Sequence, residues 1–321
     1  MHASRTSQAS FAVWCIAAVL ALASCAGPAS TAPGSPPVAP AGSGPAGSGP
    51  VVSGPPIPVL GTENFYADLL GQIGGPRVSA TSLLNDPNAD PHAFEASPRA
   101  AAAVADAKLV VVNGIGYDDF MQKLLGASSN RDRVVINVQE LLGLKDDVNA
   151  HIWYDPATMP KVADAVVAAL SRIDPPNAGY FAAQKAKYVA GLKPILDKIA
   201  VLHGKYAGTP VAFTEPVAGY LTDAIGLTLL TPKRFQQAIE QGVDPAPVDV
   251  AAERDLLTGH KVRVLLYNSQ VTSPLTTDIR DLAVKSGIPV VGVAETIPPS
   301  FTTFQEWMLA ELAQLEAALA R

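Results

Sequence analysis

Apolar and polar positions along this chain alternate between two rhythms. Short apolar runs are followed by segments whose apolar residues recur three or four apart, the pattern of a strand feeding a helix. Ile57–Leu60, Val78–Leu84, Leu109–Val112 and Val134–Val138 read as strands. Between and after them, helices are expected over Phe65–Ile73, from Pro98 to about Asp106, near Tyr117–Leu125 and over Pro156–Ile173. Gly74-Gly75-Pro76 stops the first, and Ser97-Pro98 starts the second with a capping hydroxyl and a proline at the first helical position. Ala178–Tyr206 is the one long helical segment, with Tyr188, Leu192, Ile195, Leu196, Ile199 and Leu202 at helical spacing and Pro194 as its only interruption. After Gly208 the alternation restarts, with strands near Val211–Thr214, Val262–Tyr267 and Val290–Val293 and a last helix from about Thr303. The expected fold is α/β: two βα lobes, residues 57–176 and 208–321, each with a mostly parallel sheet, joined by one long connecting helix over 177–207. Ligands of such folds sit at the carboxyl ends of the strands, here in the cleft between the lobes.

The amino terminus follows a different pattern. Arg5 precedes thirteen apolar residues, Phe11–Ala23, too few to span a bilayer but suited to the core of an export signal. Leu22-Ala23-Ser24-Cys25 follows directly and resembles the bacterial lipobox, so residues 1–24 are expected to be removed and Cys25 to carry a diacylglyceryl group. Cys15 lies in the removed segment, which leaves the folded part without a disulfide or a thiolate metal ligand. Residues 27–56 contain no charge, nine Pro, seven Gly and two tandem copies of Ala-Gly-Ser-Gly-Pro. That composition cannot bury a core, and residues 25–56 read as the acylated Cys and a tether. The expected location is the extracytoplasmic face of the cell membrane.

Charged residues make up 16% of the chain, the formal net charge is −6, and no Lys/Arg cluster longer than a pair or triplet occurs, which argues against a nucleic-acid partner. The chain is expected to act as a monomer.

Two of the five His stand in telling contexts. Asp90-Pro91-His92-Ala93-Phe94-Glu95 follows the second strand, and Ala150-His151-Ile152-Trp153-Tyr154-Asp155-Pro156 precedes a helix. Each imidazole is displayed beside an Asp-Pro turn, with Glu95 or Asp155 near enough to orient a ring, as ligand histidines require. His203 and His260 read as solvated surface residues.

Asp90–Glu95 with Ser97-Pro98, Leu109–Gly116 as Leu-Val-Val-Val-Asn-Gly-Ile-Gly, and His151–Pro156 resemble the zinc/manganese class of ABC-importer solute-binding proteins, over essentially all of residues 57–321. The resemblance implies a receptor, not an enzyme, that binds one divalent metal ion as cargo and delivers it to a membrane permease. It also implies two ligands from the second lobe. Glu215, in Phe213-Thr214-Glu215-Pro216, stands where members of the class carry His or Glu; Glu295, in Val293-Ala294-Glu295-Thr296, stands where they carry an acid. The implied set is His92, His151, Glu215 and Glu295. Two carboxylates would cancel the charge of a dication and lower the cost of closing the cleft over it. If both bind through two oxygens, the five or six contacts suit Mn2+, and no His-rich loop of the kind common in zinc importers lies between His92 and His151; the divalent affinity order favours Zn2+. Both ions stay open. The alternatives are a metal-dependent hydrolase, against which four protein ligands and the absence of His-Glu-x-x-His count; a surface adhesin with a structural metal; and a receptor for an organic cargo, which would line its cleft with aromatic or Arg side chains.

Overall fold

The computed structural model describes residues 54–86, 94–128 and 130–321. The expected signal, Cys25, the tether up to residue 53 and His92 lie outside the described residues. In chain order the first half comprises β1 (Ile57–Glu63), α1 (Asn64–Gly74), β2 (Val78–Leu84), α2 (Pro98–Asp106), β3 (Leu109–Val112), α3 (Phe120–Ala127), β4 (Val134–Asn137), α4 (Val138–Leu142) and α5 (Thr158–Ile173). The long α6 (Ala178–Tyr206) leads into β5 (Pro210–Phe213), α7 (Gly219–Ile225), β6 (Thr228–Leu229), α8 (Lys233–Glu240), α9 (Pro247–Thr258), β7 (Val264–Asn268), α10 (Pro274–Lys285), β8 (Val290–Val293) and α11 (Phe304–Leu319).

The strands form two four-stranded parallel sheets of the same topology, β2-β1-β3-β4 and β6-β5-β7-β8. Both faces of the inner strands are covered, which explains why β3, β5 and β7 read as apolar runs, whereas the edge strand β2 mixes in Ser and Thr at its exposed positions. Val59, Leu109 and Val111 face one side of the first sheet, while Leu60, Val110 and Val112 pack on the other with Ala100 and Val104 of α2. In the second sheet, Val211, Phe213, Val264 and Leu266 face inward, and Ala212 and Leu265 pack outward with Phe235 and Ile279. The inward faces belong to a single hydrophobic core shared by the two sheets.

Helix α6 contributes to that core through Phe181, Tyr188, Leu192, Ile195, Ile199 and Leu202, a stripe that packs against α1, α5, α7 and α11. Pro194 is accommodated on its exposed side, as expected of a proline that removes one backbone donor without breaking the packed face. The predicted helix starts hold. Ser97 accepts from Ala100 N at 3.1 Å with Pro98 at the first position, and Thr303 accepts from Glu306 N at 3.2 Å. The strand expected to begin at Val262 begins at Val264, because Val262 packs into the outer core from the preceding loop. No helix among the described residues is long and apolar enough to cross a membrane.

Candidate metal-binding site

In each sheet the chain leaves the central strand in opposite directions, so crevices open beyond the carboxyl ends of β1 and β3 and of β5 and β7. Several buried polar residues gather near these ends. Glu63 ends β1, Asn113 follows β3, Thr214 and Glu215 follow β5, Asn268 ends β7, and Glu295 stands two residues beyond β8.

His151 lies in the turn after α4, immediately before a 3₁₀ turn at Ile152–Tyr154, and is 1% exposed. The rings of Tyr117 and Trp153 meet it edge to face. Asn149 Oδ1 lies 2.7 Å from Nδ1 and also accepts from His151 N at 3.0 Å. Asn149 Nδ2 donates to Pro216 O at 2.7 Å, so the amide orientation is fixed and its oxygen must face the imidazole. Nδ1 is thereby assigned as a hydrogen-bond donor, and Nε2 is the nitrogen left to face the seam. The expectation that Asp155 orients this ring is corrected. Asp155 instead accepts from Ala157 N in its own turn, while Glu240 Oε1 lies 3.9 Å from Nδ1. Glu95, expected to support the other histidine, is exposed.

Glu295, fully buried, faces His151 across the seam between the sheets, with Oε2 3.3 Å from Nε2. An imidazole nitrogen and a carboxylate oxygen thus approach each other in a buried seam, two groups able to ligate one cation. Two ligands at roughly 2.0–2.1 Å from one tetrahedral ion stand about that far apart. Tyr117 donates to the same Oε2 at 2.8 Å. The backbone of the Glu295 loop is held by Gln270, whose Oε1 accepts from Glu295 N at 2.5 Å and Thr296 N at 2.9 Å. Glu215, 2% exposed, is joined to Glu295 through Asn268 Nδ2, which donates to Glu295 Oε1 at 2.7 Å and to Glu215 Oε2.

The structure thus brings His151, Glu295 and Glu215 to one seam, while His203 and His260 are exposed, as the sequence suggested. Among the described residues no three His, Cys, Asp or Glu side chains gather tightly enough to hold an ion by themselves. The assembly is pairwise: His151 against Glu295, and Glu215 against Glu295 by way of Asn268.

The surroundings are acidic. Glu63 is fully buried, with no hydrogen bond from another described residue to either carboxyl oxygen, and burial followed by the nearby Asp118 pushes its pKa well above the carboxylate range. Asp118 is raised by burial although Asn113 N and Gly114 N donate to it at 2.7 and 2.8 Å. Burial, then Glu295 and Glu63, raise the Tyr117 hydroxyl, which keeps it a donor. The loop that carries Tyr117 is tightly specified. Gly114, Ile115 and Gly116 all have positive φ, and Ile115 at 57° is costly for a β-branched residue, about 1–3 kcal/mol.

Asn149, Asn268, Tyr117 and Gln270 were not singled out by the sequence. The available signal was position: Asn268-Ser269-Gln270 follows an apolar run, and Asn149 lies two residues before His151. A surface groove of about 900 Å3 lies at the opposite ends of β5, β7 and β8 and is lined by Lys261, Arg263 and Arg321. Its cationic lining is the wrong sign for a metal ion.

Residues 59–318 match the family described as zinc-uptake complex component A, periplasmic. The manganese-binding lipoprotein MntA of Halalkalibacterium halodurans is 27% identical over 50% of this chain and 54% of its own length. The chain thus spans about half the length of that curated relative, and 63% and 58% of two putative metal-binding proteins, from Thermotoga maritima and Treponema pallidum. Among solved structures, the periplasmic zinc-binding protein TroA of Treponema pallidum superposes with a TM-score of 0.71 at 19% identity, covering 84% of this chain and all of that one. The protein FpvC of Pseudomonas aeruginosa, in complex with Ni2+, gives 0.67 at 20% identity over 83% and 97%. These likenesses show the two-lobed fold.

Proposed function

We propose, from the premise that this chain belongs to the periplasmic zinc-uptake complex component A family, that it captures one Zn2+ or Mn2+ ion outside the cytoplasmic membrane and hands it to the permease of a metal ABC importer. The family is one of substrate-binding components and not of enzymes, which sets the hydrolase alternative aside. The observation that carries the reading is the buried encounter of His151 Nε2 with Glu295 Oε2 at 3.3 Å, in a seam where Asn268 ties Glu215 to the same carboxylate.

In this reading His151 comes from the first half of the chain and Glu215 and Glu295 from the second, so a bound ion links the two sheets. His92 completes the ligand set. Asn149 presents Nε2 of His151, and Tyr117 holds Glu295 toward it. The seam is closed around these groups by hydrogen bonds from Asn149 to Pro216, Tyr220 to Asn149 and Tyr154 to Ala294, a space suited to an ion more than to an organic cargo. Cys25 carries the lipid, and the uncharged tether lets the receptor reach the permease.

Metal analysis of the chain purified without a polyhistidine tag, followed by titration calorimetry, tests this directly. One equivalent of Zn2+ or Mn2+ is expected, and His92→Ala, His151→Ala and Glu215→Ala should each abolish tight binding while the metal-free chain keeps its circular dichroism spectrum. Absence of any stoichiometric metal in the unmutated chain would reject the receptor reading; full-strength binding by one variant would remove that residue from the ligand set.

A further inference from the structure

One face of α1 carries three polar side chains a turn apart, Asn64, Asp68 and Gln72, and each meets the second half of the chain. The Asn64 amide pairs both ways with the backbone of Ile297, donating to its O at 3.0 Å and accepting from its N at 2.8 Å. Gln72 and Gln305 form a reciprocal amide pair at 2.9 and 3.2 Å. Between these two, Asp68 Oδ2 accepts from Phe304 N at 2.9 Å. Phe304 is the first residue of α11, so its N–H has no partner within that helix and finds one across the seam. Asn64 and Gln72 carry no charge at any pH, which leaves Asp68 as the rung whose charge can change.

We propose that this ladder is an acid-tightened clasp between the two lobes, in which Asp68 takes up a proton as the contact between α1 and α11 closes and gives it up as the contact opens. The inference draws on none of the candidate metal ligands. Three groups face Asp68 besides Phe304 N. Gln72 Nε2 donates to the same Oδ2 at 2.8 Å, the Tyr188 hydroxyl of α6 is buried close by, and Glu306 in the first turn of α11 brings a second negative charge. Glu306 is exposed and held below its usual range by hydrogen bonds from Thr302, so it stays ionised. None of the groups that shift Asp68 is a cation. Burial raises its pKa from 3.8 to about 6; the hydrogen bonds from Phe304 N and Gln72 oppose the rise, and Glu306 adds to it. Opening the contact returns the carboxyl to water and toward its ordinary value. The closed form then holds, between those two values, a proton that the open form has lost. Closure is therefore strengthened as pH falls through about 6, and the gain is complete below 3.8. From about pH 7 to about pH 5 the shift toward the closed contact amounts to about tenfold. The bond from Phe304 N survives the change, because a carboxyl keeps an acceptor oxygen in either form.

The test uses the full chain, stripped of metal with a chelator, and follows hydrogen exchange of the Phe304 amide by NMR at about pH 5 and about pH 7, corrected for the intrinsic rate. Protection is read relative to the Leu265 amide, which donates to Pro289 O within the second sheet and so reports global stability. Relative protection of Phe304 is expected to be about tenfold higher at the lower pH. Asp68→Asn keeps an acceptor for Phe304 N and removes the charge, and its relative protection should be the same at both. Equal values at the two pH in the unmutated chain overturn the proposal, and so does a rise of the same size in Asp68→Asn. A carbon-13 titration of the Asp68 carboxyl in the unmutated chain needs no variant to fold. A midpoint near 6 is expected, and one at the ordinary 3.8 overturns the clasp.

Discussion

Asn149 grips His151 at two points, its backbone N–H and Nδ1, and reaches across the seam with the rest of its amide. Nδ2 donates to Pro216 O beside Glu215, and the Asn149 carbonyl accepts from Tyr220 at 2.9 Å. One short side chain therefore fixes the direction of one candidate ligand and the loop of another. Removing an outer partner of a metal-bound histidine typically costs 10–100-fold in affinity, and Asn149→Ala is expected to lose about that much. Asn149→Asp keeps the acceptor for Nδ1 but not the donor to Pro216, and should keep more affinity than the Ala variant. Titration calorimetry of both variants checks this; affinity within about twofold of the unmutated chain for Asn149→Ala would show that the ring needs no such partner. Neither asparagine was legible in the sequence, since an amide in a loop carries no periodicity and its role depends on which way it faces.

At the scale of elements, α11 does more than cover the second sheet. Its Glu311 is buried, and burial outweighs three hydrogen bonds to lift its pKa to about 8. Trp307 Nε1 and Ala294 N donate to Oε1, while Tyr154 OH lies 2.8 Å from Oε2 and equally 2.8 Å from Ala294 O. The single phenolic proton cannot serve both acceptors. With Glu311 protonated, its own hydroxyl donates to Tyr154 and Tyr154 donates to Ala294, which satisfies every group and agrees with the raised pKa. Between the ordinary carboxyl pKa near 4.5 and about 8, the folded state then holds a proton that the unfolded state has released. Stability contributed this way is complete below the unfolded pKa and is lost as pH rises toward 8. Glu253 of α9, also raised to about 8 by burial, acts in the same sense. Glu311→Gln, which mimics the protonated acid, is expected to flatten the fall in melting temperature between about pH 5 and pH 8; profiles parallel to the unmutated chain would show Glu311 ionised in the fold.

At the scale of the whole molecule, the two sheets are joined along several lines. Helix α6 and the shared core form one. A second runs along α1, where Asn64, Asp68 and Gln72, one turn apart, bond to Ile297, Phe304 N and Gln305. With Asn149 and Tyr154 also bridging the seam, opening it requires breaking buried hydrogen bonds at several places, each worth about 0.5–1.5 kcal/mol net. In the proposed receptor this favours release of an ion through local shifts of the loops bearing His151, Glu215 and Glu295 over a wide opening of the lobes. The proposed lipid anchor belongs to the same scale. Cys25→Ser is expected to abolish incorporation of labelled fatty acid and to release the protein from the membrane fraction while metal binding by the folded part is unchanged. Retention in the membrane without label would assign the attachment to another segment.

Much of the architecture is determined by local sequence, because a strand buried on both faces must be apolar throughout and a packed helix must repeat at 3.6 residues. Leu109–Val112, Ala178–Tyr206 and Val290–Val293 fall where their apolar patterns place them; Glu215 and Glu295 were marked by their places after strands, His151 by its turn before a helix, and all three by family resemblance. Two-residue β6, exposed at a sheet edge, and the five-residue α4 escaped, being too short to establish a period, and the helices α7 to α10 were not singled out either. What tertiary structure alone decided is which groups meet. The facing of His151 and Glu295, 144 residues apart, and the insertion of Asn268 between two carboxylates depend on the packing of two sheets against one core. No local pattern records that distance, since hydrogen bonds across a seam form only after the hydrophobic faces behind them have fixed where each loop ends.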